Sequence, residues 1–387
     1  MSSRNKILKV QKLLKEKKLD FWLIVTSELK DIHSPWILGT KCHTRHAVVI
    51  PSDGSPSVMI AEMEAPMVKK AKIFKENEVY TYESPDDFIN FLKEKLTEKG
   101  DSPRIAINYV DDLYKGGEET INYLLHGDFL ELTKIVPKAN FVSAQEILYT
   151  LRAVKDDDEI KLHKKAAEIT IKAVKHAIEH IKPGVTEAEI AAEADYIMKK
   201  YGAEPGFDTI VAAGPNSADP HHNTSNYRIE KESLIIIDLG AKYKFHTADM
   251  TWTVYLGDNP SEKIKHMYSV VKEAHDKAIE AVRPGIEAWE IDKTARDYIY
   301  ANGYSAKEFM HSTGHPIGIH VHDVGPAFTE KEKSKRALIK LEPGMIMTVE
   351  PGVYIQKIGG VRIEDDVLVT KDGHEVLTKT PEELIKL

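Results

Sequence analysis

The hydrophobic pattern changes character part-way along the chain. Near the start, Ile7, Leu8, Val10, Leu13 and Leu14 recur at helical spacing with lysines between them, which predicts an amphipathic helix with a solvated basic face. Short apolar and β-branched runs follow: FWLIV (21–25), HAVVIP (46–51) before a Ser-Asp-Gly turn, and RIAINYV (104–110). These predict strands, with a helix near 86–98 between them. From Arg152 the period lengthens. RAVKDDDEIKLHKKAAEITIKAVKHAIEHIKPG predicts one long helix, acidic at its start and ended by Pro183-Gly184, the charges and breaker that helix termini favour. The pattern predicts an α+β protein: a smaller α/β N-terminal domain over 1–150 and a second domain over 151–387.

The second domain repeats itself. AIEHIKPGVTEAEIAAEADYIMKKYG (177–202) aligns without gaps on AIEAVRPGIEAWEIDKTARDYIYANG (278–303) at an offset of 101, with nine of the 26 positions identical, both Pro-Gly pairs included. His221 and His322 keep that offset. Further on, RIEKESLIIID (228–238) resembles KLEPGMIMTVE (340–350) at an offset of 112. Each is a predicted strand that ends in an acid, Asp238 or Glu350. Each is followed by a second strand with another acid, Asp249 or Glu364. An internal repeat decides architecture. Here it predicts two related halves that face each other, with four carboxylates where they meet.

Composition narrows the class without identifying it. A 387-residue chain with 42% hydrophobic and 29% charged residues is globular rather than disordered. A net charge of −8 gives no footprint for nucleic acid. No apolar run reaches the roughly 18–20 residues of a membrane helix. The opening MSSRNKILKVQKLLKEKKLD has no uncharged apolar core, so no leader and no membrane partner are expected. The single Cys42 excludes an intrachain disulfide and fits a reducing, cytoplasmic setting. His43 and His46 beside it read as strand-edge packing.

Four carboxylates in one pocket cannot all stay ionised without compensation, because burying even one unpaired charge costs several kcal/mol, roughly. Arg362, two residues before Glu364, supplies one positive charge against four negative. Two divalent cations would balance the set. HSTGHPIGIHVHD (311–323) adds His311, His315, His320 and His322 nearby. Oxygen-rich ligand sets with an imidazole suit manganese or cobalt, and also zinc or iron.

IIIDLGAKYKFHTADMT, HSTGHPIGIHVHD, MIMTVEPGVYI and GGVRIEDD together resemble the pita-bread metallopeptidases, the group of methionine aminopeptidase, aminopeptidase P and prolidase. The resemblance covers about 151–387 closely, and the preceding part is similar to the creatinase/prolidase N-terminal domain. It implies that Asp238 is a bidentate ligand of one cation, that Asp249 and Glu364 bridge both, and that His315 and Glu350 complete the second. It further implies that His221 and His322 hydrogen-bond the substrate and the tetrahedral intermediate, and that Glu350 moves a proton to the leaving nitrogen. His221 is preferred over its neighbour His222 because it keeps the repeat offset. His311 and Arg362 are candidate substrate-binding residues, with Arg362 also expected to prop Glu364.

The implied activity is hydrolysis of the bond before proline in short peptides, as an Xaa-Pro dipeptidase and, next, as an aminopeptidase P. A homodimer is implied as well. The fold also hosts non-peptide amide hydrolases, lyases and non-catalytic relatives, which remain alternatives. The sequence departs from the family at Pro316, at Trp252 and in DVGPAF after His322, positions expected to border the substrate pocket.

Overall fold

The structure is a computed structural model that describes residues 4–111 and 121–387. Its described residues form two compact units, one of residues 4–111 and 121–152, the other of Ala153–Leu387.

The first unit is built on a six-stranded mixed sheet. Its order is Val79–Tyr82, Ser57–Ala61, His46–Pro51, Phe21–Thr26, Arg104–Ile107, Asn140–Ser143. The two central strands are buried along their whole length and apolar except for Thr26 and His46, as strands covered on both faces tend to be. Phe21, Leu23 and Val25 pack with Phe88 and Leu92 of the helix Pro85–Thr97, which Ser84 caps through the Asp87 amide. The RIAINYV strand stops at Ile107. Asn108 leaves the ladder to accept from the Trp22 indole at 2.8 Å and donate to Asp31 at 2.6 Å. Helix Arg4–Glu16 buries Ile7, Val10 and Leu14, whereas Leu8 is 57% exposed. Spacing of three and four residues fixes that stripe, and Leu8 falls about 100° around from Ile7. His46 is buried on an inner strand, with its Nδ1 2.8 Å from the Thr44 carbonyl and its Nε2 against the Ser34 hydroxyl.

The tract from Arg152 is not one helix. Gln145–Arg152 is a separate helix of the first unit, where the buried Arg152 reaches His33 at 2.9 Å. The long helix begins at Asp157, because the Asp156 carboxylate caps the amides of Asp158 and Glu159.

The second unit shows the repeat in its hydrogen bonds. In the first half, helix Asp157–Glu179 turns at Pro183-Gly184 into Glu187–Lys200, then into the antiparallel strands Ile210–Ala213, Ser233–Leu239 and Met250–Leu256. In the second, Glu262–Ala281 turns at Pro284-Gly285 into Ala288–Ala301, with Ile346–Val349, Asp365–Val369 and His374–Val376 as its antiparallel strands. Gly184 and Gly285 sit at φ +91° and +84°, which glycine adopts without the cost a Cβ brings. The Gly184 amide donates to the Ile229 carbonyl and that of Gly285 to Leu341, each at 2.8 Å. The reverse pair also matches: Ile229 donates to Val185 and Leu341 to Ile286. The helices cover one face of the first half's strands, over Ile235, Ile237, Trp252 and Val254. Residues of opposite parity, among them Asp238, Thr251 and Thr253, are left for the other face.

A candidate metal centre

Asp238 is the penultimate residue of its strand and pairs in register with Thr251. Asp249 stands just before the partner strand, its amide held by Asp366 Oδ2 at 3.0 Å. Glu364 lies between two strands of the second half and crosses to the first. Its amide donates to the Thr251 carbonyl at 3.1 Å, and its Oε2 accepts from Thr251 Oγ1 at 2.6 Å. Glu350 follows Ile346–Val349, its amide bound to the Thr313 carbonyl at 2.7 Å. His315 is fixed by its amide, which donates to Thr348 Oγ1 at 3.0 Å. That approach needs Gly314: a Cβ there would lie 2.1 Å from the Thr348 carbonyl oxygen.

The five side chains line one cavity of about 410 Å³, with Phe207, Ile210, Val321 and Ala327 among its apolar lining. His315 Nε2 is 3.6 Å from Asp249 Oδ2 and 3.5 Å from Glu350 Oε1. Ligand atoms of Asp249, His315 and Glu364 all lie within 4.8 Å of one another. Burial, together with the charges of Glu364 and Asp238, raises the Asp249 carboxyl well above its ordinary range. Burial and the charges of Glu350 and Asp238 do the same to Glu364. Glu350 is pushed up to about 8 by burial. His315 is pushed down to about 3 by burial and by His322 beside it, so its imidazole is neutral near pH 7. Oδ1 of Asp238 and Oδ1 of Asp249 are buried without a hydrogen-bond partner. Acids crowded until they hold protons, two orphaned oxygens and a neutral imidazole form a donor set suited to divalent cations, which displace those protons.

The remaining expected residues divide. His221 and His322 both reach the cavity wall, whereas His222 is turned to Glu187 at 2.9 Å. His311 lines the cavity and meets the Tyr354 hydroxyl at 2.9 Å; burial and Arg362 push its imidazole down to about 3. Arg362 reaches Glu364 only through Thr251, whose Oγ1 accepts from the Arg362 Nε at 3.3 Å. Its guanidinium donates to Asp238 Oδ2 at 2.6 Å and to the Tyr354 hydroxyl at 2.9 Å, and the residue is only 4% exposed. Asp238 Oδ2 thus accepts a charge-assisted bond while its Oδ1 is left unpartnered, and each oxygen retains a lone pair for a cation. Trp252 and Pro316 are not on the cavity wall: Trp252 packs in the core under the helices, and Pro316 bridges Met347. Alternation along the strand puts Trp252 on the face opposite Thr251.

Four participants escaped the sequence reading: Thr251, Tyr354, Asp366 and Arg336. Thr251 had a signal, since it lies two residues after Asp249 and so on the same strand face. Arg336 lines the cavity while donating to the carbonyls of Gly325 and Asp323, and nothing in the local sequence points to it.

Residues 161–371 match the model of metallopeptidase family M24, and residues 6–154 that of the creatinase/prolidase N-terminal domain. The chain belongs to metallopeptidase family M24. An Xaa-Pro dipeptidase of Pyrococcus horikoshii is 42% identical over 301 residues, covering 76% of this chain and 83% of that protein. Among solved structures, the prolidase from Pyrococcus horikoshii OT3 superposes with a TM-score of 0.83 at 36% identity, covering 98% of this chain and all of that one. The X-Pro aminopeptidase from Thermotoga maritima MSB8 gives 0.85 at 30% identity, again covering 98% and 100%. The expected fold, a pita-bread domain after a smaller α/β domain, is therefore the fold of this M24 member. Membership of a metallopeptidase family also implies a divalent metal, and the cluster above holds residues able to bind one.

Proposed function

We propose that this M24 member is an Xaa-Pro dipeptidase whose Asp238, Asp249, His315, Glu350 and Glu364 hold two divalent cations, manganese or cobalt, with zinc or iron as alternatives. The observation that carries the reading is the convergence of these five side chains on one cavity of about 410 Å³, where burial and neighbouring charge raise the carboxyls of Asp249 and Glu364. That volume suits a small ligand. Such a cation pair supplies Lewis-acid polarisation of the scissile carbonyl and acidification of the attacking water.

The chain's own residues do the rest. Asp249 and Glu364 come from the two halves and each is bonded across to the other half, Glu364 to Thr251 and the Asp249 amide to Asp366, so separating the halves would disturb both. Glu350, on the cavity wall, can take a proton and pass it to the leaving prolyl nitrogen. His221 and His322 stand on the cavity wall to hydrogen-bond the substrate carbonyl as it gains charge, a contribution of roughly 10²-fold or more in rate. His311 continues through Tyr354 to Arg362 and Asp238, which couples substrate contact to the orientation of a ligand. Arg336 adds positive charge to the cavity lining, which favours a substrate whose carboxyl terminus lies inside, a dipeptide.

The likeness to the Thermotoga maritima X-Pro aminopeptidase supports a second reading, removal of one residue from longer Xaa-Pro peptides. A cytoplasmic homodimer belongs to the same proposal, and sedimentation at equilibrium checks the dimer. The function is tested by stripping the metal, restoring Mn²⁺ or Co²⁺, and offering Met-Pro, Met-Pro-Ala and Met-Ala. Cleavage of Met-Pro is expected. Cleavage of Met-Pro-Ala alone would shift the assignment to the aminopeptidase. Failure on all three with two metals bound would overturn it in favour of a non-peptide amide.

A further inference from the structure

Away from the candidate centre, a second group among the described residues gathers metal-binding atoms: His176, His180 and Glu193, with one ligand atom of each within 4.8 Å of the others. We propose that this group binds one zinc-class divalent cation, which clips the first helical hairpin of the M24 domain on its outer side. The inference does not depend on the catalytic reading.

The helix geometry supplies two of the ligands. His176 and His180 are four residues apart at the end of helix Asp157–Glu179, so their rings share one face, with centroids 4.4 Å apart. Glu193 approaches from helix Glu187–Lys200, with Oε2 2.9 Å from His176 Nε2 and 4.0 Å from His180 Nε2. The His180 ring is already set for coordination. Its Nδ1 lies 2.8 Å from the His176 carbonyl, which can only accept, so Nδ1 carries the hydrogen and the Nε2 lone pair is left on the Glu193 side. Metal-binding histidines are held in this way, with the other ring nitrogen donating to a carbonyl or carboxylate.

Two imidazoles and one carboxylate, open to water, make a three-ligand set with a fourth position for solvent, which suits zinc and its neighbours rather than magnesium or calcium. The side chains are 26%, 42% and 39% exposed, so an ion reaches them from solution. Tetrahedral coordination at roughly 2.0–2.1 Å would hold the ligand atoms about 3.3 Å apart. The 2.9 Å pair then opens by a few tenths of an ångström while His180 closes in, an adjustment that half-exposed side chains make freely.

A plain His176–Glu193 hydrogen bond would account for that one contact but does not call for a second imidazole beside it. The second copy of the repeat shows that the hairpin does not need the group. At the offset of 101 it has Lys277, Ala281 and Thr294, and Lys277 pairs instead with Glu273 of its own helix at 2.9 Å. Packing therefore does not impose two imidazoles and a carboxylate at these positions.

The test compares zinc bound per chain, by equilibrium dialysis and mass spectrometry, for the unmodified protein and for H176Q/H180Q and E193Q. Because every form retains the candidate centre, the difference reads the hairpin site alone. The unmodified chain should hold one zinc more than the double variant, and E193Q should bind that ion at least tenfold more weakly. Zinc should also raise the melting temperature of the unmodified chain more than that of either variant. Equal melting temperatures without zinc confirm that the variants fold, as replacing half-exposed side chains predicts. Equal zinc counts in all three forms would overturn the proposal.

Discussion

The two halves of the catalytic domain share a framework but support their acids differently. Gly184 and Gly285 make equivalent turns, and equivalent hydrogen bonds tie Val185 to Ile229 and Ile286 to Leu341. At the meeting edge the likeness ends. In the first half Asp238 is gripped by Arg362, a residue of the second half, through a charge-assisted bond at 2.6 Å. In the second half Glu364 is held by Thr251, a residue of the first, through a neutral donor at 2.6 Å. Each half thus orients an acid of the other. A repeat that reproduces its backbone can place carboxylates at equivalent strand ends while the surrounding side chains tune each one separately.

The largest effect expected from disturbing this arrangement is loss of a shared acid. D249N or E364Q should lower peptide cleavage more than 100-fold and reduce bound metal, because losing a ligand outweighs the 10–100-fold typical of its supporting partners. Metal analysis alongside kcat checks this. The partners come next. R362M should weaken metal binding more than T251V, since a charged hydrogen bond is about twice as strong as a neutral one. Equal losses would remove the asymmetry between the halves.

A pH series follows in size. In the metal-free chain the carboxyls of Asp249, Glu350 and Glu364 lie above their unfolded values, so their protonated forms stabilise the fold at low pH. For Glu350 that stability is lost as pH rises towards about 8. Metal binding displaces the same protons. Affinity should therefore climb about tenfold per pH unit for each proton released, and the melting-temperature gap between loaded and stripped protein should widen from pH 5 to 8. The smallest effect concerns the shared turns. G184A and G285A each introduce a Cβ at positive φ with nothing within 4 Å, so strain alone should cost about 1 kcal/mol in both. Unequal melting temperatures would show that the two turns are not equivalent.

Much of this was legible because it obeyed short-range rules. Three isoleucines running into Asp238 mark a buried strand that ends in a charge, and the offsets of 101 and 112 lay out the halves. What was hidden depends on residues far apart in sequence. Arg362 was assigned to nearby Glu364, yet its partner Asp238 is 124 positions away. Trp252 was expected beside the pocket because it departs from the family there, whereas alternation along its strand turns it to the core. Arg336 reaches the cavity from the short 3-10 helix Lys335–Leu338, which carries no motif. His176 and Glu193 meet only because the hairpin folds back on itself.

The central claim is that the crowded acids exist to hold two cations. Diffraction from crystals of the manganese-loaded chain, recorded at the manganese absorption edge, tests it most directly. Two anomalous peaks roughly 3.5–4 Å apart are expected, enclosed by Asp238, Asp249, His315, Glu350 and Glu364. No peak among these five side chains, or only one, would contradict it.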